Sequence, residues 1–135
     1  MDRAELGKEW VRKAEHDLGM AELALENKPD YTDSICFHCQ QTVEKYLKAY
    51  LVFLDVRFEK KHSLSYLLDL INEKEEVSDE FYEMVEKLEG YAIETRYPDD
   101  WFEPTLEEAK EAHEIAKKVK EFVLNKINRK TINGS

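Results

Sequence analysis

Glycine, proline and cysteine are scarce in this chain, with only four, three and two among 135 residues. So few breakers leave little room for a turn-rich β architecture, and no stretch shows strand-like alternation of useful length. Two cysteines three residues apart cannot build the disulfide framework of a small secreted domain. No apolar run approaches the roughly 20 residues that span a bilayer. The opening "MDRAELGKEW" is charged where a signal peptide needs its apolar segment. The expectation is a cytoplasmic protein that does not associate with membranes. Positive charge is also in deficit, with a formal net charge of −10. Duplex DNA is therefore not an expected partner, because phosphate binding rests mainly on Lys and Arg. A local basic patch on an acidic body stays open.

What the chain does contain is helix. It is 42% hydrophobic and 37% charged, which fits one folded domain with its own core. Trp10, Ala14, Leu18, Ala21 and Leu25 recur at steps of three or four, so the spacing predicts a helix from about Arg3 to Glu26. "NKPD" ends it, since Pro29 disfavours helix in the residue before it. A second helix is expected from about Thr32 to Val56, capped by Thr32 or Asp33, with Cys36, Cys39, Val43, Leu47, Tyr50 and Leu54 as its stripe. Being the longest and most apolar, it should lie at the centre. The basic link "RFEKKHS" leads to Ser63, which can cap a short helix carrying Leu64, Leu67, Leu68 and Ile71. Ser78 can cap a fourth, with Phe81, Val85, Leu88 and Ala92 on its stripe. After the break "RYPDDWFEP", Thr105 and Glu108 form a potential capping box for the fifth. Short links favour antiparallel neighbours, so the predicted fold is all-α: an up-and-down antiparallel bundle of about five helices. One helical domain over residues 1–128 and a polar, fraying tail over 129–135 are expected.

Two stretches invite a chemical reading. "CFHC" could begin a metal site, but on a helix Cys36 and Cys39 share the face of Val43 and Leu47 while His38 points elsewhere. A closed zinc site needs four ligands, and His16, His62 and His113 are scattered. The reading adopted is a pair of buried thiols and no metal. "TRYPDDWF" is richer. Arg96 closes a helix, where a cation suits the negative end of the helix dipole. Its rigid guanidinium fork also suits phosphate, and Tyr97 or Trp101 could stack on a base. His62 could cap, pack, or join the neighbouring Arg57, Lys60 and Lys61, while Lys45 and Lys48 form a charged helix flank.

Together these pieces resemble the HEPN family, the higher eukaryotes and prokaryotes nucleotide-binding domain. Trp10, Ala14, Asp17, Leu18 and Ala21 resemble its opening W-x3-A-x2-D-L-x2-A. Phe37, Gln40, Gln41, Glu44, Lys45, Leu47, Lys48, Ala49 and Leu51 resemble its central F-x2-Q-Q-x2-E-K-x-L-K-A-x-L. His62, Leu64 and Leu67 match H-x-L-x2-L, and Arg96, Tyr97 and Pro98 match R-Y-P. The resemblance implies a dimerising helical bundle in a prokaryotic setting, beside a small nucleotidyltransferase and often in a toxin–antitoxin-like pair. Many relatives are metal-independent ribonucleases carrying R-x(4–6)-H. Here the three permitted positions after Arg96 hold Trp101, Phe102 and Glu103, and none supplies the imidazole that acid–base cleavage would want near neutral pH.

The resulting expectation is a non-catalytic module, without cofactor or metal, that binds a nucleotide, RNA or a nucleotidyltransferase partner. Arg96, Tyr97, Lys45, Lys48 and His62 are its candidate ligand-binding residues. The alternatives are a ribonuclease whose base has moved to His62 or His38, and a purely structural dimeric adaptor. Self-association is expected because Tyr50, Phe53, Phe58, Trp101 and Phe102 have no obvious place in one shared core.

Overall fold

The computed structural model describes residues 1–91 and 103–132, with side chains described through residue 129. Five α-helices and one 3-10 turn make up the described elements: α1 Arg3–Asn27, α2 Thr32–Phe53, α3 Leu64–Asn72, α4 Asp79–Glu86, the turn Glu89–Tyr91, and α5 Leu106–Ile132. The expected all-α bundle is the observed fold, and no helix among the described residues is long and apolar enough to cross a membrane.

α2 is the hub. α1, α3, α5 and the 3-10 turn all pack on it, and fifteen of its residues from Thr32 to Val52 are buried. A helix enclosed on most sides must be apolar nearly all round, as the run Val43–Val52 largely is. α1 lies antiparallel to α2, for Arg3 reaches Val52, Trp10 meets Lys48, and Asp17 meets Lys45 and His38. α5 also runs antiparallel to α1: His113 bonds Glu22, while Ile127 borders Gly7 and Val11. α3 and α4 form an antiparallel hairpin tied by Tyr82 to Asp69 and Ser65 to Glu86.

Capping explains where most helices start. Ser63 and Ser78 accept from the amides of Tyr66 and Phe81. Thr105 and Glu108 exchange two 3.0 Å bonds, the expected capping box. α5 continues through Ile132 into the polar tail.

Three details differ from expectation. Neither Thr32 nor Asp33 caps α2. The cap position is Tyr31, without a side-chain bond, because Tyr31 N already turns back onto Lys28 O and the helix starts early. The Thr32 hydroxyl is left buried without a partner among the described residues. α2 ends at Phe53, not Val56, and Asp55 follows in the left-handed region at φ 61°. Asp tolerates that conformation better than most residues. Arg3 closes this end by donating to Val52 O at 3.2 Å and pairing with Asp55 at 2.9 Å. α4 stops at Glu86 and gives way to the 3-10 turn; Ala92 lies outside the described residues. Of the apolar groups expected to be surplus, Tyr50 is fully buried in the shared core, and Phe53 and Phe58 pack against it half-buried. Trp101 and Phe102 lie outside the described residues.

Candidate functional site

The chemistry sits on the polar edges of α2. Periodicity places Gln40, Glu44 and Lys48 four residues apart on one line, and His38, Gln41 and Lys45 on the next. The sequence around them is so apolar that α2 is drawn into the core, and these polar groups are carried inward with it. They must then find partners, since an unpaired buried charge is very costly.

The first cluster joins α1 to α2. Asp17 is buried and accepts from Lys45 Nζ at Oδ2, while His38 Nδ1 lies 2.8 Å from Oδ1. Burial alone would push the Asp17 carboxyl up. The hydrogen bonds from His38 and Lys45, with their charges, outweigh it and hold the group below the usual aspartate range. The His38 ring also meets Phe37 edge-on at 5.3 Å.

The second cluster joins α2 to the link before α3. Glu44 is only 2% exposed. Its carboxylate takes Lys48 Nζ at 2.9 Å, His62 Nδ1 at 3.1 and 3.3 Å, and Gln40 Nε2 at 3.5 Å. Gln41 Nε2 donates in turn to Gln40 Oε1 at 2.7 Å. Lys48 is buried as well, its ammonium over the rings of Trp10 at 5.1 Å and Phe58 at 5.9 Å. The His62 side chain, by contrast, is 75% exposed. It is the point at which this buried network meets solvent. Next to it, Glu89 fills the start of α3, accepting from Ser63 Oγ at 3.0 Å and Leu64 N at 2.9 Å.

Of the predicted site residues, Lys48 and His62 come together on Glu44, and Lys45 goes to the neighbouring Asp17 cluster. Both lysines are already neutralised by carboxylates. Arg96 and Tyr97 lie outside the described residues. The link's other cations are exposed: Lys61 pairs with Glu59 at 3.2 Å and lies 4.8 Å from the Tyr66 ring centroid, while Arg57 and Lys60 have no ion pair among the described residues. Cys36 and Cys39 are fully buried, as their stripe implied. Burial pushes the Cys36 thiol up to about 12, and the Cys39 thiol upward too. Among the described residues no group of three or more His, Cys, Asp or Glu could hold a metal ion.

Sequence reasoning missed Asp17 and Glu44 as the organising acids. A signal was present for each. Asp17 falls at the helical step between Ala14 and Ala21, both fully buried, and Glu44 lies between Gln40 and Lys48 on a helix with almost no free face.

A HEPN domain family model matches residues 8–127. The chain belongs to that family. It is 29% identical, over 142 aligned positions and 91% of each chain, to a Methanocaldococcus jannaschii protein named "Putative toxin MJ1304". The crystal structure of TT1696 from Thermus thermophilus superposes with a TM-score of 0.76 at 32% identity, covering 89% of this chain and 97% of that one. ST0689, described as an archaeal HEPN homologue, gives 0.72 at 27% identity over 90% and 97%.

Proposed function

We propose that this HEPN domain is a non-catalytic binding module of a toxin–antitoxin-like pair, taking the phosphate of a nucleotide or RNA and pairing with a small nucleotidyltransferase. The observation that carries the reading is the exposed imidazole of His62, seated on buried Glu44 at the end of a basic link. An otherwise acidic chain presents cations and a ring nitrogen together at this point. Arg96 and Tyr97 are proposed to add a phosphate fork and a stacking ring. Lys45 and Lys48 support the site through Asp17 and Glu44, since their charges are spent there. The toxin name of the Methanocaldococcus relative supports the setting.

The test is a titration of 5′-phosphorylated single-stranded RNA at fixed salt, because phosphate contacts are screened. Arg96→Ala and His62→Ala should each weaken binding, by about tenfold for a charged hydrogen bond. Unchanged affinity in His62→Ala would remove the site from this end of the bundle, and unchanged affinity in Arg96→Ala would remove that residue from the proposal. A second reading is a metal-independent ribonuclease whose base has moved. The His62–Glu44 contact favours it, because a carboxylate that fixes one ring nitrogen leaves the other free for proton transfer. Metal-independent cleavage lost in His62→Ala would select it.

A further inference from the structure

A cavity of about 460 Å³ lies where the first turns of α1 meet the end of α2 and the later turns of α5. Val11, Ala49, Val52, Phe53 and Ile127 wall it, and all five side chains are hydrocarbon. The backbone at the end of α2 is already engaged: Tyr50 O, Leu51 O and Val52 O accept from Leu54 N, Val56 N and Asp55 N. Such a space suits hydrocarbon better than water, which needs several polar partners. Gly7 lines the cavity too. Helical backbone asks for no glycine there, and alanine would suit it better. Packing asks for none either, since a Cβ at Gly7 would lie 3.6 Å from Val52 Cγ1, an ordinary contact. The missing side chain leaves room. The rim differs in character: Arg3, Ala4 and Lys8 are exposed there. Arg3 spends part of its guanidinium fork on Val52 O at 3.2 Å and Asp55 at 2.9 Å, which fixes its position and leaves other N–H groups for a ligand. Lys8 has no ion pair among the described residues.

We infer that this cavity is a binding site for a free medium-chain aliphatic carboxylate, its chain between α1, α2 and α5 and its head on Lys8 and Arg3. The charge and the polarity of the site match such a ligand together: two cations stand at the mouth of an apolar slot. Each end of the molecule meets the surface it needs, a charge-assisted hydrogen bond for the carboxylate and buried area for the chain. The source is a free carboxylate and not an acyl chain within a bilayer. The whole chain carries a net charge of −10, so an anionic membrane surface repels it. The cavity uses none of the residues proposed to bind phosphate, so the two readings stand or fall separately.

Calorimetric titration of the full chain with hexanoate, octanoate and decanoate, at fixed salt and below micelle formation, tests this. Affinity should rise along the series by up to about fourfold for each buried methylene. Lys8→Met should weaken decanoate by several-fold to about tenfold, and decyltrimethylammonium should bind more weakly than decanoate. Gly7→Leu, which puts a side chain into the cavity, should abolish binding. Ala4→Trp, at the exposed rim, closes the mouth without touching the core and serves the same purpose if Gly7→Leu does not fold. No saturable binding, or an affinity that ignores chain length, overturns the inference. So does an alkylammonium that binds as well as the carboxylate. Two further outcomes also overturn it by assigning the cavity to another occupant. A dimer in sedimentation that becomes monomer in Gly7→Leu or Ala4→Trp would make it a second copy of this chain. Co-sedimentation with phosphatidylglycerol vesicles, lost in the same variants, would make it the acyl chains of a bilayer.

Discussion

Asp17 and Glu44 are single carboxylates on which several buried groups depend, and their loss has readable consequences. Asp17→Ala strands His38 and the Lys45 ammonium in a half-buried seam, so chemical denaturation should show a loss of about 3 kcal/mol. The pH dependence has a definite sign. Because His38 and Lys45 hold the folded carboxyl below its unfolded value of about 3.9, Asp17 stabilises the fold fully above that pH. The contribution is lost as pH falls through the lower folded value. Asp17→Asn should accordingly lose less stability than wild type on acidification below about pH 4, and a parallel decline would remove Asp17 from that account. The thiols give another residue-scale prediction. Cys36 and Cys39 should resist a thiol reagent at pH 8 until the protein unfolds, since burial keeps both protonated. Rapid labelling of the native protein would contradict their placement. Burial of the pair was legible from their spacing with Val43 and Leu47. The roles of Asp17 and Glu44 were not, because periodicity shows which face is buried but not which polar partner will arrive from another element.

At the scale of elements, capping chemistry carries much of the information. Ser63, Ser78 and the Thr105–Glu108 box stand where the sequence put them, because these motifs act within three residues and need no tertiary context. Ser78→Ala should cost about 1 kcal/mol, or about 3–5 °C in Tm. No change on thermal melting would mean that α4 starts without its cap. The two ends of α2 escape a sequence reading for the opposite reason. A turn closed by Lys28 sets its start, and Arg3, 49 residues away from Val52 in sequence, helps to close its end. Neither partner is visible in a local window. Arg3→Ala should therefore loosen the α1–α2 junction, and amide exchange at the α2 end should rise while that of α3 stays constant.

For the whole molecule, the family, the all-α fold and the central place of α2 could be read from the chain, since they rest on a long apolar pattern and on motifs in a fixed order. Self-association remains a proposal. Tyr50, Phe53 and Phe58 are used within the protomer, but Met20 and Leu23 stand exposed three residues apart on α1. Sedimentation at micromolar concentration should give a dimer, and a monomer alone would contradict it. The central claim is that this HEPN domain binds RNA without cutting it. The most direct measurement uses one sample: end-labelled single-stranded RNA with the purified protein, in chelator and at fixed salt, assayed for both bound fraction and chain length. The account predicts saturable binding, weakened in Arg96→Ala, with the RNA intact. Strand cleavage without metal that disappears in Arg96→Ala would contradict it.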